Sequence, residues 1–336
     1  MKVLITGGRG FIGHYVCRKF EAEGHEVRVL TNLSHPSKIT EGREFIYGDV
    51  RYSYDVERAV RDVDCVIHLA AKIHVDRSRE FSRPYFDTNI LGTYNVLEAC
   101  RKYKKKMLHA STSEALGSYK PHPMDLGMSE TWHHQPENPY GTTKAAADML
   151  CTGWRNSYDV DVTILRSFNV SGVGQSHDKE GAFIPRVIQW VLKGENPKIF
   201  GGGDQTRDYI WVGDVAEAYY LLARGDYKGQ VYHVGTGREV SINHVAQTLI
   251  DISGKDLQIE YIGERPKELR RLKCDASKMR SLGWRPTKPI EQVLREMYEA
   301  ELAGRVGVTG IEKQVHEHLC PWVDIYHCEL ENGMAG

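Results

Sequence analysis

Lys2-Val3-Leu4-Ile5-Thr6-Gly7-Gly8-Arg9-Gly10-Phe11-Ile12-Gly13 is the stretch whose reading decides the fold. A short aliphatic run breaks straight into glycines, the pattern of a strand buried on both faces. Gly7, Gly10 and Gly13 have Gly-x-x-Gly-x-x-Gly spacing, and helical periodicity begins at Phe11 and stops at Gly24. Glycines between a strand and a helix allow a tight turn and a close approach of backbone to a pyrophosphate, whose charge meets the helix N-terminus. A glycine trio alone is a weak signal. Directly after a buried strand it points to a bound dinucleotide.

Outward from this stretch, strands are predicted over 26–30, 44–47, 65–69, 107–110 and 160–166. Helices are predicted over 56–63, 85–102 and from Pro139 to Tyr158. Strands alternating with helices imply an α/β fold, a Rossmann doubly wound parallel sheet covered on both faces. After residue 170 the alternation becomes irregular. The expected organisation is a dinucleotide-binding domain at 1–170, to which 206–235 returns. A smaller C-terminal substrate-binding domain takes 171–205 and 236–304, and 305–336 is an extension of unassigned fold.

The bulk numbers exclude several classes. The chain has 336 residues, 44 basic and 45 acidic side chains and a formal charge of -1, so no basic stripe argues for nucleic acid. Mean hydropathy is -0.46, and no run approaches the ~20 apolar residues that span a bilayer. Met1-Lys2 leads directly into a strand, and seven scattered cysteines suit reduced thiols, so a cytoplasmic location is expected. The tail carries His316, His318, Cys320, His327 and Cys328. Their spacing fits no standard zinc finger and Pro321-Trp322-Val323 points to packing, so no metal is assigned.

Tyr140 and Lys144 are four apart, hence one turn apart on one helix face, downstream of Ser111-Thr112-Ser113-Glu114. A free phenol titrates near pH ~10, and a neighbouring ammonium is expected to lower it. The pair is then an acid/base for a sugar or alcohol hydroxyl. At the end of the second strand, where a carboxylate for the adenosine ribose is expected, stand Thr31-Asn32. Arg9 can pair with a 2′-phosphate and Asn32 can hold a plain ribose, so NAD and NADP stay level. Asp49-Val50 is placed to meet the adenine ring; an ordinary strand-end Asp is the other reading.

These motifs resemble the extended short-chain dehydrogenase/reductase family, specifically its nucleotide-sugar epimerases and dehydratases. The resemblance covers residues 1 to 300. It rests on Thr6 to Gly13, His68-Leu69-Ala70-Ala71, Asn89-Ile90-Leu91-Gly92-Thr93, Tyr140-Gly141-Thr142-Thr143-Lys144, Arg166-Ser167-Phe168-Asn169, Gly203-Asp204-Gln205-Thr206-Arg207-Asp208-Tyr209 and Leu282-Gly283-Trp284-Arg285-Pro286. It implies that Gly7, Gly10, Phe11, Ile12, Gly13, Asn32, Asp49, Val50, Leu69, Ala70, Ala71 and Asn89 line an NAD or NADP, with Tyr140 as base and Lys144 on the nicotinamide ribose. Thr112 would contact the reacting hydroxyl, Lys72 the substrate, and Asn169, Arg207 and Arg265 its diphosphate.

Glu114 separates the branches. Oxidation at carbon 4 of a sugar acidifies the carbon 5 hydrogen, and a carboxylate there drives loss of water from carbons 5 and 6. Simple 4-epimerases need no such base. Ser111-Thr112-Ser113-Glu114 resembles the GDP-mannose 4,6-dehydratases; the dTDP-glucose enzymes carry Asp-Glu after the Thr, and Ser113 is a weak acid in place of that Asp. His74-Val75-Asp76-Arg77-Ser78 also resembles the dehydratases. Ala115-Leu116-Gly117 departs from the usual Val-Tyr-Gly. The expected function is a nucleotide-sugar 4,6-dehydratase, with a 4-epimerase, a UDP-glucuronate decarboxylase and an idle dinucleotide sensor as alternatives. A homodimer through the 85–102 and 140–158 helices is expected by the same analogy.

Overall fold

The computed structural model describes residues 1–34, 43–120, 124–176, 182–264 and 269–308. The main sheet holds β1 (Lys2–Thr6), β2 (Glu26–Thr31), β3 (Glu44–Tyr47), β4 (Cys65–His68), β5 (Lys106–Thr112), β6 (Val162–Ser167) and β7 (Val231–Val234). All pairings are parallel, in the order β7-β6-β5-β4-β1-β2-β3. The winding reverses between β1 and β4, which sets Gly7 and Leu69–Ala71 side by side at the carboxyl ends of neighbouring strands. In doubly wound sheets that crevice is where ligands sit.

Helices α1 (Phe11–Ala22), α2 (Ser53–Val60), α3 (Gly92–Tyr103), α4 (Pro139–Tyr158) and α5 (Val212–Arg224) flank the sheet. α1 packs on α5, whereas α2, α3 and α4 pack in succession. Val3, Leu4, Ile5, Val66, Ile67 and Leu108 are fully buried at the centre. α4 starts where it does because the Asn138 side chain caps it, accepting from Gly141 N at 2.8 Å, with Pro139 in the first turn.

The single helix predicted over 85–102 carries a π-helical stretch at Phe86–Leu91 before α3. Asn89 accounts for it. Its side chain accepts from Lys72 N (2.8 Å) and donates to Lys72 O and Thr143 Oγ1 (both 2.9 Å). Holding those partners widens the turn, the usual setting of a π-bulge.

The chain forms two compact units. The first takes Met1–Val170, Gln205–Val240 and Pro266–Thr287; the second takes Ser171–Asp204, Ser241–Arg265 and the residues from Lys288 onward. The stretch up to Thr287, expected in the substrate-binding domain, therefore clusters with the first unit. Backbone bonds from Thr206 N to Arg270 O and from Met128 N to Lys273 O hold it there. In the second unit, helices Phe183–Lys193, Ile242–Ser253 and Ile290–Val308 pack on one another, and strands Lys198–Phe200 and Glu260–Ile262 pair in parallel. Among the described residues no helix is long and apolar enough to cross a membrane. The five described cysteines are free and buried.

Candidate active site

The dinucleotide end is made of backbone. Gly7 has φ +71°, and a Cβ there would lie 2.8 Å from Ala70 N. A Cβ on Gly13 would lie 2.2 Å from Gly7 O. Only glycines allow β1, the β4 exit and α1 to come this close. The α1 N-cap is Gly10, whose lack of a side chain leaves the first-turn N–H groups without a side-chain cap. Phe11, Ile12, Leu69, Ala70 and Ala71 are half-buried around this turn. A cradle that any Cβ would fill, at an uncapped helix N-terminus, fits a pyrophosphate.

At the far end of the crevice Asn32 donates to Asp49 Oδ2 at 2.7 Å, and Arg51 grips Asp49 through Nε (3.0 Å) and Nη2 (2.9 Å). Burial works against the Asp49 charge, yet these bonds hold its carboxyl below the usual range. Asp49 is thus a carboxylate at the end of the third strand, beside Asn32 at the end of the second. Val50 is buried, and its carbonyl accepts from Asn95 Nδ2 at 2.9 Å. Asn89, expected on the dinucleotide, stitches the Lys72 backbone to Thr143 on α4.

The Thr112–Glu114 turn is assembled by close packing. Thr112 ends β5 and accepts from Glu114 N at 3.2 Å. A Cβ on Gly141 would lie 2.4 Å from Glu114 O, so this glycine lets the first turn of α4 sit on the Thr112–Glu114 turn. Ser78 Oγ accepts from Tyr140 N at 3.1 Å, and Asn138 Nδ2 donates to Glu114 Oε2 at 2.8 Å. Tyr140 shares a hydrogen bond with Thr112. Glu114 and Tyr140 are half-buried, and Ser113 is buried.

The expected lowering of the Tyr140 phenol is not what this geometry gives. Burial raises it above its ordinary value, the Glu114 charge adds to the rise, and the Thr112 hydrogen bond opposes both. Lys144 donates to Ala110 O at 2.5 Å. Burial brings the Lys144 ammonium down to about 8 while Asp148 holds it up.

Behind Lys144 lies a row of buried polar groups. His68 pairs in register with His109, Ser111 with Arg166, and Arg166 with His233. Alternation along β5 puts His109 and Ser111 on one face, so His68, His109, Arg166 and His233 share it. Asp148 of α4 accepts from Arg166 Nε at 2.8 Å. His68 sits between Thr6 Oγ1 (2.7 Å) and Thr93 Oγ1 (3.1 Å), which ties the glycine-turn strand to α3. Burial lowers His68 and His233 to about 3, so both rings are neutral.

The sequence matches the NAD dependent epimerase/dehydratase family over residues 3–235. The dTDP-glucose 4,6-dehydratase of Salmonella typhimurium is 33% identical over 361 residues, 96% of this chain and 98% of its own. This chain belongs to the NAD-dependent epimerase/dehydratase family. Among solved structures, the UDP-glucose 4-epimerase of Thermus thermophilus in complex with NAD superposes with TM-score 0.82 at 33% identity, covering 89% of this chain and 98% of that one. DesIV, a dTDP-glucose 4,6-dehydratase of Streptomyces venezuelae solved with NAD bound, gives TM-score 0.83 at 28% identity over 91% and 98%. These relatives accord with the extended short-chain dehydrogenase/reductase resemblance and with the Rossmann sheet of the family.

Of the remaining positions matched to the family, Asn169 N donates to Asp208 O at 2.9 Å. Arg207 donates through Nη1 to Thr206 O (2.9 Å) and Leu269 O (2.8 Å). Lys72 is exposed. Leu116, where the family usually has Tyr, is fully buried. Arg265 and the His/Cys tail lie outside the described residues, and among the described ones no cluster suits a metal. Sequence reasoning gave no role to Ser78 and His68, which it placed only within motifs, and did not single out Asn138, His109 or Asp148. Two signals were present: Asn138-Pro139 is an N-cap signature, and Asp148 lies four residues after Lys144. Ser78 and the histidines leave no local trace of what they meet.

Proposed function

We propose that this enzyme is a sugar-nucleotide 4,6-dehydratase. The observation that carries the reading is Glu114: its carboxylate is fixed by Asn138, two residues from Thr112, and its charge is felt by Tyr140. A nicotinamide held beyond the glycine turn would supply a hydride acceptor for carbon 4 and a hydride donor for carbon 6. Tyr140 takes the proton of the carbon 4 hydroxyl, with the Thr112 hydrogen bond favouring the phenolate. Glu114 removes the carbon 5 proton that the new ketone acidifies and delivers it to the carbon 6 hydroxyl, which leaves as water. Carbon 5 then takes a proton from water while Tyr140 gives its own up to water, so both side chains end as they began and the net change is loss of one water. Asn169 and Arg207 grip the diphosphate, and Lys72 reaches the substrate from the β4 exit.

Asp49, ionised beside Asn32 with the Arg51 fork already engaged, supports NAD over NADP, because a 2′-phosphate meets a negative neighbour. Parallel titrations with NAD and NADP check this. Exposed Phe86, Leu91, Tyr94, Met149 and Tyr158 along the 86–103 and α4 helices support a homodimer through that helix pair. A monomer in light scattering overturns it.

The test of the activity is mass spectrometry after incubation with a panel of nucleoside-diphosphate sugars. Loss of one water from a sugar is the expected result. An unchanged mass with inversion at carbon 4 makes the protein an epimerase, and no turnover across the panel overturns both readings.

A further inference from the structure

Lys144 and Asp148 lie one turn apart on α4, with 4% and 1% of their surfaces exposed. Residues so spaced on a helix have Cβ atoms about 6 Å apart. Arg166, 4% exposed, donates to Asp148 Oδ2, and His134 Nε2 is 3.2 Å from the same oxygen. Asp148 Oδ1 has no hydrogen-bond partner and lies 3.6 Å from His109 Nε2. Asp148 is thus a buried anion that Arg166 of β6 binds directly and that lies one turn from the Lys144 cation on its own helix.

Among the described residues no other anion bears on Lys144, and the Tyr140 phenol keeps its proton because burial raises it. His68 on β4, His109 on β5 and His233 on β7 are all driven to the neutral form by burial. Cys151, the next turn of α4, keeps its proton because burial raises the thiol. The Ala110 carbonyl offers a dipole, not a charge. A buried ammonium without an anion gives up its proton.

We infer that Asp148 is a positioning residue that keeps Lys144 a cation at the dinucleotide site, and that Arg166 holds Asp148 in place for that task. The inference rests on the proposed role of Lys144 at the nicotinamide ribose. It adds that the Tyr140-x-x-x-Lys144 pair works as part of a longer unit, Tyr140, Lys144, Asp148 and Arg166, built across a helix and a strand. Even with the Asp148 charge opposing it, burial draws Lys144 down to about 8. Removing the Asp148 charge takes away the influence that opposes this, so the midpoint falls further.

The experiment reads the Lys144 proton directly, without substrate. The full chain is labelled with 13C-lysine, the Lys144 Cε resonance is assigned by its loss in Lys144→Arg, and its pH midpoint is followed. In Asp148→Asn the midpoint is expected about one pH unit or more lower, a tenfold smaller proton affinity, whereas Asp148→Glu restores it. Should Asp148→Asn fail to fold with Arg166 left uncompensated, the paired variant Asp148→Asn with Arg166→Gln removes both charges and is expected to give the same fall. A midpoint within about 0.3 units of wild type in the variant that folds overturns the inference. Dinucleotide affinity gives a second readout. The proposed role predicts a loss near pH 8 that is recovered near pH 6, and a loss equal at every pH makes Asp148 merely structural. Both readouts stand whether or not any sugar nucleotide is turned over, so failure of the dehydratase reading is separable from failure of this one.

Discussion

On the β2 side of β1, strand interiors are aliphatic, and buried Arg28 reaches out to Glu44 and Asp62, whose side chains are 44% and 58% exposed. On the β4 side, the strands beneath α4 carry His68, His109, Arg166 and His233 on one face, and Arg166 finds its anion in Asp148, which is 1% exposed. One half of the sheet makes a binding site from backbone, glycine turns and a helix end. The other half builds the proposed catalytic site from side chains whose charges must balance out of water. The first kind is damaged by adding an atom, the second by removing a charge.

The largest expected effect tests the catalytic half. Tyr140→Phe should cut turnover about 10³-fold while the melting temperature and dinucleotide affinity stay at wild-type values. Retained turnover would move the chemistry away from α4. Next comes the charge balance. Arg166→Met strands a buried carboxylate and should cost about 3–5 kcal/mol in urea unfolding, with much of that regained when Asp148→Leu is added. Arg28→Met, whose acidic partners face water, should cost about 1 kcal/mol or less. Equal costs at the two arginines would erase the contrast between the halves.

In the backbone-built half, Gly13→Ala drives a methyl into Gly7 O and should cost about 1–3 kcal/mol together with at least a tenfold loss of dinucleotide affinity. A soluble variant with unchanged affinity would refute the cradle. The smallest effect is the pH response. Lys144 is protonated below about 8 and neutral above it, so dinucleotide affinity should decline as pH rises through that value. His68 and His233, lowered to about 3, should add no step between pH 5 and 8. A titration showing such a step would mean a charged histidine in the row.

Much of the fold was legible because its signals are local. Lys2 to Gly13, the Asn138-Pro139 start of α4 and the periodicity of Tyr140 to Tyr158 depend on neighbours a few residues away. The π-helical stretch at Phe86–Leu91 was not legible, since it answers to Lys72 and Thr143, far along the chain. The same holds for Leu269 to Thr287, which joins the first unit through Thr206 and Met128. At the site, Tyr140, Lys144, Thr112 and Glu114 could be named, but the direction of the Tyr140 shift could not. Spacing gives a lysine one turn away; only burial and the facing Glu114 decide that the phenol rises.

By itself the sequence determined the parallel α/β sheet, the dinucleotide turn and the tyrosine–lysine helix, because hydrophobic period, glycine freedom and helix capping act over one or two turns of chain. Only the tertiary structure decided that His68, His109, Arg166, His233 and Asp148 form one buried row behind Lys144. Strand register brings together residues up to 165 positions apart (His68 to His233), and the balance of charge they strike in a low-dielectric interior is a property of their proximity, which no single segment encodes.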